Sequence, residues 1–235
     1  MLLQPEGLQQ LQSANVLVAG LGGVGGYAAE MLCRAGVGQL TLIDNDEVTS
    51  TNINRQIIAL QSTVGKPKTE LFAKRFHDIN PDCKVNPLQM FLRDELTAQI
   101  LQKQRYDYVV DAIDTLSPKV FLLYEAHRLG LPVVSSMGSA GKLDPSAVRV
   151  DDISRSHTCP LAALVRKRLH RLGIQEGIKV VFSTEKVAEH SIVDDPSQNK
   201  RTTIGSISYL PPLFGCFCAS VVIRDLISSS QKNIH

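Results

Sequence analysis

The sequence predicts an α/β chain built on an open, doubly wound and mostly parallel sheet, and three observations point there. Apolar, β-branched runs recur at Asn15–Ala19, Gln39–Ile43, Tyr106–Ala112 and Pro132–Ser136. Segments with helical spacing separate these runs, and a glycine-rich turn follows the first of them. Strands buried on both faces read as continuous apolar runs, so this pattern implies parallel pairing under covering helices.

Taken in order, residues 2–13 predict a short helix leading into the strand Asn15–Ala19. Alanine content and spacing extend a helix over Tyr27–Ala35, stopped by Gly36 and Gly38, and Gln39–Ile43 completes a βαβ unit. A helix from about Lys66 to Asn80 ends at Pro81; Val85–Pro87 reads as a brief strand and Asp94–Gln102 as a helix. Tyr106–Ala112 is a strand, Phe121–Leu129 a helix and Pro132–Ser136 a strand. Beyond Gly138 the alternation weakens. Strands are expected at Val148–Ile153 and Lys179–Ser183, flanking a basic helix over Leu161–Leu172. The polar stretch Ala188–Thr203 reads as a mobile loop, and Leu213–Leu226 as an apolar helix packed on the sheet.

The Gly20-Leu-Gly22-Gly23-Val-Gly25 turn lies between a strand and a helix, where glycines bring backbone N–H groups and a helix N-terminus against a phosphate. Asp44 ends the second strand, the place from which a carboxylate accepts hydrogen bonds from ribose hydroxyls. NAD and ATP both satisfy these features. Asn52-Ile-Asn54-Arg55-Gln56 and Lys68 favour the triphosphate, because Arg brackets phosphate oxygens and Lys supplies a compact charge. Lys66 reads as a solvated surface cation. Asp111 and Asp114 sit at the end of the Tyr106–Ala112 strand, and Asp114, just past it, is the better Mg²⁺ ligand.

The chain has 235 residues, 43% hydrophobic and carrying a formal charge of +2, which suits one domain with a substantial core. We divide it into a nucleotide-binding core, 1–138, and a substrate-side extension, 139–235. So small a net charge gives no global drive toward nucleic acid or membrane. Five scattered cysteines and no secretory pattern argue for reduced thiols in the cytoplasm. Cys216 and Cys218 lack a second pair, so no zinc site is expected. Leu210–Ile223 reads as too short and too proline-interrupted to span a bilayer.

In that order, the glycine turn, Asp44-x-Asp46, Asn52-x-Asn54-Arg55-Gln56, Lys68 and Asp114 resemble the nucleotide site of the ubiquitin-activating-enzyme-like adenylating superfamily. The resemblance spans the first half of the chain. It implies that Gly20, Gly22, Gly23, Gly25, Asp44, Asp46, Asn52, Arg55, Gln56 and Lys68 hold ATP, that Arg55, Lys68 and Asp114 are catalytic, and that Asp114 carries Mg²⁺. It also implies a homodimer in which an Arg from before the first helix reaches the partner's site; here no Arg precedes Arg34.

Val181-Phe-Ser183-Thr184-Glu185, Ser135-Ser136-Met137-Gly138 and Cys159-Pro160-Leu161 extend the likeness to the tRNA threonylcarbamoyladenosine dehydratase branch, over most of the chain. This branch implies adenylation of a carboxylate on a modified tRNA adenosine, followed by intramolecular ring closure. It gives Arg166, Lys167, Arg168 and Arg171 a purpose as contacts to tRNA phosphates. It leaves open a sulfur-relay protein, a monovalent cation and a role for Cys159. The alternatives are activation of the C-terminal glycine of a ubiquitin-like sulfur carrier, an NAD-dependent oxidoreductase, and a silent scaffold.

Overall fold

The computed structural model describes residues 2–187, 191–194 and 202–228. The chain opens with α1 (Pro5–Ser13), then β1 (Asn15–Ala19), α2 (Gly25–Ala35) and β2 (Gln39–Asp44). After short 3-10 turns come α3 (Lys68–Ile79), β3 (Lys84–Gln89), α4 (Asp94–Lys103), β4 (Tyr108–Asp111), α5 (Leu116–Arg128) and β5 (Val133–Ser136). The second part holds β6 (Val148–Asp152), α6 (Pro160–Arg171), β7 (Lys179–Ser183), β8 (Ile192–Asp194), β9 (Thr202–Ile204) and α7 (Leu210–Ser228).

Seven strands form one sheet in the order β3-β2-β1-β4-β5-β7-β6, and only the β6–β7 pair is antiparallel. The chain moves outward in opposite directions from β1, to β2 on one side and β4 on the other. Their carboxyl ends therefore part at β1 and leave a crevice at the switch point. β4 is buried along its length and β1 at every residue after Asn15, as continuous apolar runs require. One face of the sheet packs on α2, α3 and α7, including Leu32, Phe72, Phe76 and Phe214; the other packs on α4, α5 and α6, including Leu101, Leu123 and Leu169.

Several expectations shift. β3 runs Lys84–Gln89, longer than Val85–Pro87, because pairing with β2 extends it although no alternating apolar signal marks it. Helix α5 begins at Leu116, with Pro118 in its first turn, where a missing N–H breaks no helical bond. The polar stretch read as a loop contains β8 and β9, which pair antiparallel, Ile192 opposite Ile204. Residues 188–190 and 195–201 of that stretch lie outside the described residues, and so does the mobility expected of them.

The last helix also corrects the sequence reading. Pro211 and Pro212 fall in the first turn of α7, where they do not interrupt it, and the helix reaches 19 residues. By length and composition alone it passes for a membrane span. In this fold it packs against α2, α1 and the sheet, burying Leu210, Phe214, Cys218 and Val222.

Candidate functional site

The glycine turn leaves β1 at the crevice. The Gly20 N–H donates to the Ile43 carbonyl at 2.8 Å, and the Ala112 N–H to the Ala19 carbonyl at 2.8 Å, tying the exits of β1, β2 and β4 together. A side chain at Gly25 would collide with the Gly20 carbonyl oxygen, so only glycine lets the turn close on itself. Helix α2 starts there with no side-chain cap on its N-terminus. Its first N–H groups and its dipole face the turn, an arrangement that suits an anionic phosphate.

The Leu21 N–H donates to Asp44 Oδ2 at 2.6 Å and the Asp46 N–H to Oδ1 at 2.8 Å, which clamps Asp44 at the end of β2. Burial pushes the Asp44 pKa up, while the Lys68 ammonium 3.9 Å away opposes that rise. Lys68, only 4% exposed, starts α3 and pairs with Asp46 at 2.9 Å. It is therefore a buried, paired ammonium rather than an open one. Lys66 is exposed, in keeping with a solvated surface cation.

Arg55 lies beside the turn, and a Cβ added at Gly23 would stand 3.3 Å from Arg55 Cγ. Its Nη1 donates to the Thr51 carbonyl at 2.8 Å and to Asn54 Oδ1 at 2.9 Å. Burial lowers the Arg55 pKa and the nearby Asp114 carboxylate partly restores it, so these two expected site residues act on each other. Asn52 Oδ1 accepts from the Thr49 N–H at 3.1 Å and shapes the short turn before Arg55. Gln56 is 7% exposed, and its Oε1 is buried without a hydrogen-bond partner. Such an acceptor costs about 1–3 kcal/mol unless a ligand donor satisfies it. This orphan oxygen, on an amide whose Nε2 lies 3.8 Å from where a Gly22 Cβ would stand, is the observation that best fits a bound nucleotide.

Asp111 and Asp114 do not share a role. Asp111 is fully buried; its carboxylate accepts from Lys119 Nζ at 2.6 Å and Ser135 Oγ at 2.5 Å, and from the Ile113 N–H at 3.1 Å. It therefore braces the crevice floor and is removed from the expected pair of carboxylates. The sequence reading missed Lys119, which carries no signal apart from its spacing from Asp111. Asp114 is exposed, just past the strand, and accepts from Thr115 Oγ1 at 3.2 Å.

Beyond β5, Glu185 accepts from the N–H groups of Leu143 and Asp144, at 3.0 and 2.8 Å. Cys159, expected in a loop, is buried at the N-cap of α6. The basic helix is not uniformly outward. Arg166 Nη1 donates to the carbonyl and hydroxyl of Ser156, both at 2.7 Å, and so is spent holding residues 153–156. Lys167, Arg168 and Arg171 remain exposed, Arg168 bonding Ser117 Oγ at 2.9 Å. Among the described residues no group of three or more His, Cys, Asp or Glu side chains is placed to hold a metal. A Mg²⁺ ion needs no such cage where phosphates and waters complete its shell.

Fold and site together define a doubly wound nucleotide-binding domain whose cations and carboxylates surround a phosphate-type turn. The chain belongs to the ThiF family, whose model matches residues 1–235. It is 40% identical over 234 residues to the tRNA threonylcarbamoyladenosine dehydratase of Bacillus subtilis, covering 96% of this chain and 92% of that one. Crystal structures of the Escherichia coli tRNA N6-threonylcarbamoyladenosine dehydratase superpose on it. The ATP complex does so with a TM-score of 0.90 and the AMP complex with 0.89, each at 35% identity over 98% of this chain and 93% of that one.

Proposed function

We propose that this chain is an ATP-dependent dehydratase that adenylates the carboxylate of threonylcarbamoyladenosine in tRNA and allows ring closure to the cyclic form. The observation that carries the nucleotide half is the buried Gln56 acceptor and Arg55 beside a glycine turn whose helix lacks a side-chain cap. The relatives that match nearly end to end carry the tRNA half, being themselves tRNA threonylcarbamoyladenosine dehydratases.

In this reading a carboxylate oxygen attacks the α-phosphorus of ATP, the bond to the β-phosphate oxygen breaks, and pyrophosphate leaves. The carbamoyl group then attacks the acyl carbon, AMP departs with the former carboxylate oxygen, and a proton is lost to solvent. The nucleophile is intramolecular, so its effective concentration is high and no enzyme thiol is required. Asp44 receives the ribose hydroxyls, with Asp46 and Asn52 lining the same pocket. Arg55, beside the turn, and Lys68, behind Asp44 and Asp46, oppose the charge that builds on the leaving pyrophosphate. Asp114 would hold Mg²⁺, which when bound neutralises phosphate charge. Residues 139–235 form the substrate side of one domain, with Lys167, Arg168 and Arg171 meeting tRNA phosphates. We place the enzyme in the cytoplasm as a homodimer, without zinc.

Incubation with ATP, Mg²⁺ and tRNA carrying the linear modification is the test. The cyclic nucleoside and AMP should appear in equal amounts; AMP without the cyclic nucleoside, or no turnover, rejects this function.

A further inference from the structure

Asn54 belongs to the Asn52–Gln56 segment, and its exposed side chain bridges that segment to the return after β9. Its Oδ1 accepts from Arg55 Nη1 at 2.9 Å, and its Nδ2 donates to the Ser206 carbonyl at 3.0 Å. Ser206 follows β9, and that return segment is itself anchored. The Gly141 N–H donates to the Gly205 carbonyl at 2.8 Å, and the Gly205 N–H to the Ser191 carbonyl at 3.0 Å. Gly141 has φ +71, and a Cβ there would stand 2.7 Å from Val187 Cγ1 and 2.9 Å from Ile204 Cγ2. The contact therefore admits glycine alone.

We infer that Asn54 is a positioning residue: fixed by the Ser206 carbonyl, it aims the Arg55 guanidinium at the nucleotide and so links the Gly205–Ser206 return, anchored on Gly141, to phosphate binding. The assignment rests on the nucleotide-site reading above. Its physical basis is geometric. A guanidinium on a flexible stem loses rotamer freedom when it grips a phosphate, and an amide oxygen that already restrains one nitrogen removes part of that cost. Asn54 can supply this restraint only while its own amide is fixed, and the amide's other end is spent on Ser206. Thr51 contributes a second acceptor to the same nitrogen, so loss of Asn54 loosens Arg55 without releasing it.

A double-mutant cycle tests this, with ATP affinity read by titration calorimetry in the presence of Mg²⁺ and without tRNA. N54A should weaken ATP binding about tenfold, the scale of one hydrogen bond to a charged group. In an R55K background, where the planar fork is gone, the same substitution should cost less than about twofold. A loss that carries over undiminished into R55K, or wild-type affinity in N54A, overturns the assignment. G141A, which disturbs the anchor of Gly205 and Ser206 without touching Arg55, should weaken binding by less than N54A and add nothing to it. Additivity of G141A and N54A overturns the link through Ser206. A wild-type protein that binds no ATP removes the site reading itself, a result distinct from any of these.

Discussion

The Lys119 ammonium and the Asp111 carboxylate are both fully buried and lie 2.6 Å apart beneath the exit of β4. Ser135 on the neighbouring strand completes the set at 2.5 Å. Charges this deep persist only when paired and hydrogen-bonded, so each partner is the other's solvent. K119M should lower the stability to urea by about 3–5 kcal/mol, the cost of stranding one buried charge. The double variant K119M/D111L should recover part of that loss. A K119M protein within about 1 kcal/mol of wild type means the pair is not a structural brace.

Substitutions around the glycine turn separate an ATP enzyme from a dinucleotide oxidoreductase. R55A and K68A should each lower kcat/KM for adenylation by about a hundredfold or more, as loss of a preorganised charge that offsets a leaving group's does. K66A, at an exposed site on the same stretch, should stay within about twofold, since surface charges contribute little. Steady-state kinetics on the three variants decide the matter. Equal effects at positions 55, 66 and 68 would falsify the assignment.

Glu30, on α2, receives Arg75 Nε at 2.7 Å and Arg34 Nε at 2.9 Å. Burial alone raises the Glu30 pKa, but the two guanidinium hydrogen bonds outweigh it and hold the carboxyl below its ordinary value of 4.5. A depressed acid pKa contributes stability that is present above the unfolded-state value and lost as pH falls through the folded-state value. E30Q should therefore be less stable than wild type at neutral pH, with the difference closing below pH 4.5. Urea melts at neutral and acid pH read this directly, and a gap that stays constant shows the carboxylate charge is not responsible.

The basic helix should act unevenly. Replacing Lys167, Arg168 and Arg171 together should weaken tRNA binding and reduce the salt dependence, by roughly 0.7–0.9 in the log–log slope for each phosphate contact removed. R166A should instead destabilise the fold, because its guanidinium holds Ser156. Filter binding over a salt series, set beside thermal melts, distinguishes the two. An R166A protein with normal stability and a changed salt slope would make Arg166 an RNA contact instead of a brace.

Much of this fold was legible in the sequence wherever one periodicity governs a segment. β1 and β7 occupy the residues expected of them, and the glycine turn, Asp44 and Asp114 lie at the crevice because strand ends bring them there. What failed to show was tertiary. β3 depends on its β2 neighbour, and β8 and β9 pair with each other in a stretch whose composition reads as loop. The inward turn of Arg166 and the burial of Lys119 follow from partners 10 and 8 residues away in the chain, a turn residue for the first and a strand end for the second, met only once each helix has packed. Asn54 was visible as part of a motif, but the Ser206 carbonyl that fixes it comes 152 residues later.

Attack of a substrate carboxylate on the α-phosphate of ATP in this crevice is tested most directly by tracing oxygen. With heavy-oxygen label in the carboxylate of the tRNA-borne threonyl group, one labelled oxygen should appear in AMP at each turnover. Label found in inorganic phosphate with ADP as the co-product, or released into water with AMP unlabelled, contradicts adenylation.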